Sequence, residues 1–339
     1  MMAYLKVADL TVEYAGRPPA IAVEDVSFEL EKGQSLGLVG ESGCGKSTLS
    51  MALLGLLPTQ ARVVSGSIQI AGEEHIGMDA ERARLKRWVE VAYVPQNAAT
   101  SLSPVNTLFE QFRHTWRAHR GKPGKELRPL AAQLFKAVEL DEAWLDAYPH
   151  QLSGGMRQRA IIALSLLFNP GLLIADEPTT GLDVIVQRQV IDVLKRLQES
   201  GEMSLVFVSH DIAVVSELCR KLAVMYAGQV VEFGATADVM DNPVHPYTIA
   251  LKQAFPDIAQ PEKLTVSIPG RMPLPRDVPP GCAFAPRCPF STERCLAERP
   301  QLREVKQGRL TACHHSEDAE AMTITIESGK AWDAMGMLD

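Results

Sequence analysis

No run of apolar residues in this chain approaches the roughly 20 that a helix needs to cross a bilayer. The longest, Ile161 to Phe168, stops at Asn169-Pro170. The first residues, Met1-Met-Ala-Tyr-Leu-Lys-Val7, lack the charged-then-apolar pattern of a secretory leader. Both absences point to the cytosol, where disulfides are rare. The six cysteines therefore need another explanation, and they are not arranged in the paired C-x2-C knuckles of common zinc sites. Positive charge is not in excess: 34 Lys and Arg stand against 41 Asp and Glu, for a net charge of -7. That balance disfavours a broad nucleic-acid surface. Composition is otherwise ordinary, 46% apolar and 22% charged, so most of the chain is expected to fold. Its 339 residues suit two domains, or one with a large insertion.

What is present starts with Gly40-Glu41-Ser42-Gly43-Cys44-Gly45-Lys46-Ser47-Thr48, which reads G-x-x-x-x-G-K-S. The apolar run Ser35–Val39 before it reads as a strand, and Thr48–Leu54 after it as a helix. A strand–loop–helix of this kind is a phosphate loop. Glycines let successive backbone N–H groups turn inward onto phosphate oxygens, and the helix adds its positive N-terminal end. Lys46 is placed to reach β- and γ-phosphates and Ser47 to ligate Mg²⁺. There is no Asn-Lys-x-Asp guanine motif, which argues against a GTPase.

Before the loop, Leu5–Val7, Leu10–Val12 and Val26–Leu30 alternate as antiparallel strands. Tyr14, between two of them, could stack on a base. After the loop come a strand at Gly66–Gly72, a charged helix over 79–88, and the strand Val89–Val94 ending at Pro95-Gln96. A helical block from Thr107 to Leu145 interrupts the strands, giving an insertion of about 97–160. Leu152-Ser153-Gly154-Gly155 then opens a helix near Met156, with serine as a cap and glycines that admit an anion. Leu172–Asp176-Glu177 is a buried strand ending in two acids, where an α/β sheet binds ligands. Asp176 suits Mg²⁺ coordination, and Glu177 suits activation of a water. Gly181-Leu-Asp183 opens a helix through Ser200, Ser204–Ser209 is a strand ending at His210, residues 212–221 are helical, and a hairpin closes the unit. The pattern is α/β: a mostly parallel sheet with helices on both faces and an antiparallel side sheet.

From Asn242 the character changes. Residues 256–300 hold ten of the 22 prolines and few apolar residues for a separate core. Cys282, Cys288, Cys295 and Cys313 fall in or just beyond this stretch, spaced C-x5-C-x6-C-x17-C. A segment so poor in core needs a staple, and in a reducing compartment a metal site can supply one. Four cysteines serve either zinc or an iron–sulfur cluster. The tail from Ser316 is acidic and is expected to be poorly ordered.

Taken together, the phosphate loop, Gln96, Leu152–Gly155, Asp176-Glu177, Asp183 and His210, in that order, resemble the nucleotide-binding subunits of ABC transporters. The likeness runs from residue 3 to about 240. It implies a head-to-tail pair of such domains, each ATP lying between one subunit's residues 40–48 and the other's Ser153-Gly154-Gly155. In that arrangement Tyr14 stacks on adenine and Glu177 is the general base. Gln96 senses Mg²⁺ and the coupling surface, Asp183 lines the seam, and His210 meets the γ-phosphate. Leu53–Pro58, Thr100–Pro104, Tyr148–Ser153 and Val224–Gly228 narrow the resemblance to the oligopeptide/dipeptide importers. Pro243-Val-His-Pro-Tyr-Thr248 resembles the opening of that family's C-terminal extension, and it also reads as a helix started by Pro246.

One departure is Asn97-Ala98, where the family usually carries an acid or amide and then proline. Gly281–Pro289 and Thr311–His314 resemble the family's cluster motif, which turns the cysteine reading to [4Fe–4S], with zinc as the alternative; Cys44 and Cys219 are not expected to be ligands. The resemblance thus divides the chain into an ATPase domain over 1–240, an extension over 241–315 and a tail over 316–339. It implies a related second ATPase subunit, two transmembrane permease subunits and an extracytoplasmic solute-binding protein, and no nucleic acid. It places the chain at the cytoplasmic face of the membrane, powering peptide import. Oligosaccharide or nickel import, or a soluble ABC ATPase outside transport, are the alternatives.

Overall fold

Apolar alternation in the first thirty residues builds a side sheet. The computed structural model describes residues 3–96, 98–199, 201–254 and 268–333; the departure at Asn97 lies outside them. Strand β1 (Ala3–Tyr14) pairs antiparallel with β2 (Ala20–Glu31), Leu5 opposite Leu30 and Val12 opposite Val23. The two short strands read at Leu5–Val7 and Leu10–Val12 are one. Between them the register slips and Asp9 takes φ 49°. The bulge restores the inward phase, so Leu5, Val7, Leu10 and Val12 are all buried.

The rest of the chain builds a second sheet with helices around it. Strand β3 (Ser35–Val39) is wholly buried and leads through the glycine loop into α1 (Lys46–Leu53). Strands β4 (Ala61–Ile70) and β5 (Glu73–Glu74) complete the side sheet, in the order β2-β1-β4-β5. Helix α2 (Ala80–Lys86) is capped by the Asp79 side chain, and β6 (Val91–Val94) follows. The insertion holds α3 (Ala98–Ser101), α4 (Leu108–Arg120), α5 (Leu127–Ala137) and α6 (Gly154–Ser165). A capping box of Thr107 and Glu110 starts α4. Then come β7 (Leu172–Asp176), α7 (Val184–Glu199), β8 (Ser204–Ser209), α8 (Ile212–Leu218), β9 (Lys221–Tyr226) and β10 (Gln229–Ala235). Helix α8 ends before the expected residue 221 because Lys221 is already paired with Leu36 in the sheet.

The end of the chain returns to the same sheet. After α9 (Thr236–Asp241) and α10 (Pro246–Ala254) come the short α11 (Glu293–Ala297), β11 (Arg303–Lys306), β12 (Arg309–Thr311) and α12 (Ala319–Glu327). The order of the large sheet is β11-β12-β10-β9-β3-β8-β7-β6. Strands β9, β3, β8, β7 and β6 run parallel, which brings the ends of β3, β7 and β8 to one edge. Among the described residues no helix is long and apolar enough to cross a membrane.

The extension lacks a core of its own, as its composition implies, and borrows the main one. Ala283, Phe284 and Cys288 pack into the cluster that holds Tyr226 and Tyr247. The acidic tail is not disordered where it is described. Met322, Ile326 and Trp332 bury against Ile249 and Ala250 of α10, and burial of each large apolar side chain stabilises by about 1.5–3 kcal/mol.

One buried ion pair ties the extension to the sheet. Glu232 of β10 is fully buried and accepts from Arg309 of β12 at 2.8 Å. It also accepts from the backbone N–H groups of Val244 and His245, so it fixes the entry to α10. Arg309 additionally donates to the Asn242 carbonyl. Removing one member of such a pair leaves an uncompensated buried charge, at a cost of about 3–5 kcal/mol. Arg309→Met is therefore expected to lower the thermal midpoint markedly. The exposed pair Arg128–Asp146 should tolerate Arg128→Met with a change of about 0–1 kcal/mol.

Candidate functional site

The loop between β3 and α1 closes around its own lysine. Lys46 Nζ donates to the carbonyls of Gly40 at 2.7 Å and Glu41 at 3.0 Å, and the residue is only 5% exposed. Gly45 sits at φ 108°, and a Cβ there would lie 2.3 Å from the Ala22 carbonyl oxygen. A Cβ on Gly40 would lie 2.2 Å from the Met225 carbonyl oxygen. Glycine is required at both positions because backbone passes where a side chain would be. The Cys44 thiol is buried against Lys46, and burial pushes its pKa up; it is packing, not a ligand.

Two acids stand at the end of β7, beside β3 and β8. Burial pushes the Asp176 carboxyl above its usual range, opposed by the Ser47 and Tyr93 hydroxyls. Tyr93 donates to Asp176 Oδ2 at 3.2 Å. Oδ1 of Asp176 is buried with no hydrogen-bond partner among the described residues. An orphaned carboxylate oxygen next to Ser47 is the donor set a hard cation needs, so the residues fit Mg²⁺.

Glu177 takes φ 45°, a left-handed conformation that costs a non-glycine residue energy. Its N–H donates to the Val208 carbonyl of β8 at 2.8 Å. Its carboxylate accepts from Gln96 Nε2 at 2.8 Å and Thr180 Oγ1 at 2.9 Å, with His210 Nδ1 at 3.5 Å. Gln96, Glu177 and His210, far apart in sequence, are thus one cluster. Tyr14 is half-buried, and its hydroxyl lies 3.3 Å from Thr48 Oγ1 in the first turn of α1.

Ser153, Gly154 and Gly155 stand at the start of α6. The Ser153 hydroxyl accepts from Met156 N at 3.3 Å, as an N-cap should. Ser153 and Gly154 are exposed, whereas a Cβ on Gly155 would lie 2.0 Å from Val186. The motif packs on the start of α7, where Asp183 caps the helix by accepting from Val186 N. Val184 and Ile185 beside it are 81% and 74% exposed.

The four extension cysteines come together less closely than expected. Cys282, Cys288 and Cys313 are pushed up by burial, Cys313 to about 12, and the neighbouring sulfurs raise them further. Among the described residues no group of three or more His, Cys, Asp or Glu is gathered closely enough to hold a metal ion. The backbone N–H of His315 donates to Cys313 Sγ at 3.4 Å.

Sequence reasoning missed the residues that touch the loop from the far end of the chain. Glu41 N donates to the Tyr247 hydroxyl at 2.9 Å, and Arg287 Nη1 meets both Glu41 carboxylate oxygens at 3.0 Å. Both residues lay inside motifs read for other reasons, Tyr247 as part of a helix start and Arg287 as a spacer between cysteines. Thr180 carried no signal.

Comparison with known proteins fits this geometry. Residues 23–180 match the family model described as ABC transporter, and residues 231–295 that of the oligopeptide/dipeptide transporter C-terminal region. The chain is 41% identical over 320 residues to the dipeptide transport ATP-binding protein DppD of Escherichia coli (strain K12), covering 94% of this chain and 98% of that one. It is 40% identical to DppD of Haemophilus influenzae, covering 92% and 96%. It is 41% identical to a putative peptide import ATP-binding protein of Brucella abortus (strain 2308), covering 91% and 94%. Among solved structures, the dimeric ATP-binding cassette MJ0796, in a post-hydrolysis state with ADP and Pi, is similar with a TM-score of 0.61 at 28% identity. That match covers 68% of this chain and 98% of that one.

Gly45→Ala is expected to lower nucleotide affinity. The left-handed backbone alone costs alanine about 1–2 kcal/mol, and the clash with Ala22 adds to it. Equilibrium binding of a fluorescent ATP analogue should fall roughly tenfold or more. Gly72→Ala is the control: it shares the positive φ but meets nothing within 4 Å, so it should cost stability and leave binding unchanged.

Proposed function

This chain belongs to the ABC transporter family, in its oligopeptide/dipeptide group, and we infer that it is the ATPase subunit that powers peptide import through a membrane transporter. The observation that carries this is the match to DppD over 94% of the chain, with the chemistry-bearing residues gathered at one edge of the parallel sheet. Lys46 holds the β- and γ-phosphates, and Ser47 and Asp176 hold Mg²⁺ with Gln96 nearby. Glu177 accepts the proton of the attacking water, and His210 contacts the γ-phosphate. Tyr14 lies against the base.

Ser153-Gly154-Gly155 acts on the ATP of a second ATPase subunit, and Asp183 lies in the seam between the two. The exposure of Ser153 and Gly154, and of Val184 and Ile185 beside Asp183, supports a paired assembly. A related, distinct chain is the partner this reading favours. A cleft of about 450 Å³ between sheet and insertion, lined by Leu54, Tyr93, Leu102, His114 and Ile161, suits a permease segment. The chain would then sit on the cytoplasmic face of the membrane beside two permease subunits, with a solute-binding protein delivering substrate from outside.

Two variants test the roles in the assembled transporter. Lys46→Ala is expected to lose ATP binding. Glu177→Gln is expected to keep binding and slow phosphate release by roughly 10²–10⁴-fold, the usual worth of a general base. Loss of binding in Glu177→Gln with retention in Lys46→Ala would overturn the assignment.

We also read Cys282, Cys288, Cys295 and Cys313 as the ligands of a [4Fe–4S] cluster that staples the extension. The resemblance of Gly281–Pro289 and Thr311–His314 to the family's cluster motif supports it. Anaerobically purified protein should carry iron and acid-labile sulfide, and Cys288→Ser should lose both. Stoichiometric zinc without sulfide would replace the cluster with the alternative metal.

A further inference from the structure

The phosphate loop is gripped from outside by the C-terminal extension, and every polar group of one loop residue is engaged. The Glu41 carbonyl accepts from Lys46 Nζ at 3.0 Å. Its N–H donates to the Tyr247 hydroxyl at 2.9 Å, and its carboxylate meets Arg287 Nη1 at 3.0 Å. An unpaired carboxylate at this place would repel the polyphosphate that the loop binds. Arg287 removes that charge and holds the side chain away from the loop's interior.

Arg287 can do this because its own position is fixed. The residue is 4% exposed. Its Nε donates to the Pro269 carbonyl at 2.8 Å and its Nη1 to the Tyr226 hydroxyl at 3.3 Å. Its own carbonyl accepts from Trp332 Nε1 at 2.8 Å. A second arm reaches the loop through Tyr247. His245 Nδ1 accepts from Tyr247 N at 3.0 Å, and burial lowers the ring's pKa to about 3, so it stays neutral. The backbone of Ala312 bonds the same ring. One arm therefore begins between Cys282 and Cys288, and the other beside Cys313.

We propose that Arg287 is a positioning residue for ATP binding, holding Glu41 so that Lys46 and the loop's N–H groups are set for phosphate, with Tyr247 as its second support. This rests on the reading of residues 40–48 as the ATP site. It assigns the extension a part in nucleotide affinity, beyond closing the sheet.

The test is a double-mutant cycle on ATP affinity in the full chain, measured well below the thermal midpoint of each variant. Arg287→Ala is expected to weaken binding by roughly 5–50-fold, within the usual range of coupling between sites. Arg287→Lys should recover part of the loss, because a point charge replaces a fork. In a Glu41→Gln background, where no charge needs neutralising, Arg287→Ala should cost several-fold less. Tyr247→Phe, which removes only the hydroxyl, should weaken binding modestly and keeps the proposal testable if Arg287→Ala does not fold. At saturating ATP, kcat in the assembled transporter should change little while KM rises. Equal affinity in wild type, Tyr247→Phe and Arg287→Lys would overturn the proposal, as would strictly additive effects in the cycle. Failure of the wild type to bind ATP at all would instead overturn the underlying ATP reading.

Discussion

A buried ammonium sets the terms for the rest of this molecule. Lys46 is held by carbonyls of Gly40 and Glu41, and neither is a full charge. A cation so placed is poised for an anion, and the loop around it must keep its bend when that anion is absent. The glycines make the bend sterically allowed. The parallel strand behind the loop, the helix in front of it, and Ala22 and Met225 packed where side chains would stand keep it from relaxing. The remaining chemistry is arranged around that fixed point, on strands that all end at the same edge of the sheet.

Glu177 shows how the second half of the site is held. Its left-handed backbone is a local cost, met by a bond to β8 and three side-chain contacts. Gln96 belongs to the junction between sheet and helical insertion. The carboxylate is thus tied to the segment that would move if the insertion rotated against the sheet. The Gln96 amide thus bonds the Glu177 carboxylate to the chain that runs from β6 into the insertion.

Much of this was legible in the sequence because it is local. A phosphate loop needs glycines at fixed offsets, a buried parallel strand needs a short apolar run, and Ser153 and Asp183 cap the helices they precede. The order of motifs then supplied the family. What could not be read has two physical origins. The bulge at Asp9 and the early end of α8 come from pairing partners that propensity does not see. The contacts of Arg287 and Tyr247 with Glu41 span 246 and 206 residues, and no periodicity encodes them. The tail misled for a different reason: its acidic residues face outward, while Met322, Ile326 and Trp332 supply the inward face. The cysteines were found by count and spacing, but spacing does not say how close four sulfurs will stand.

The return of the chain's end to its beginning also has a temporal side. A ribosome releases the segment around Glu41 long before it makes Arg287. At roughly 5–20 residues per second, the 246 intervening residues take on the order of 12–50 s. Throughout that interval the nascent chain carries its loop sequence without the guanidinium that holds it. A truncated product, or one stalled before the extension, would present Glu41 unpaired. On the proposed role of Arg287, the nucleotide site reaches its full affinity only once the polypeptide is complete.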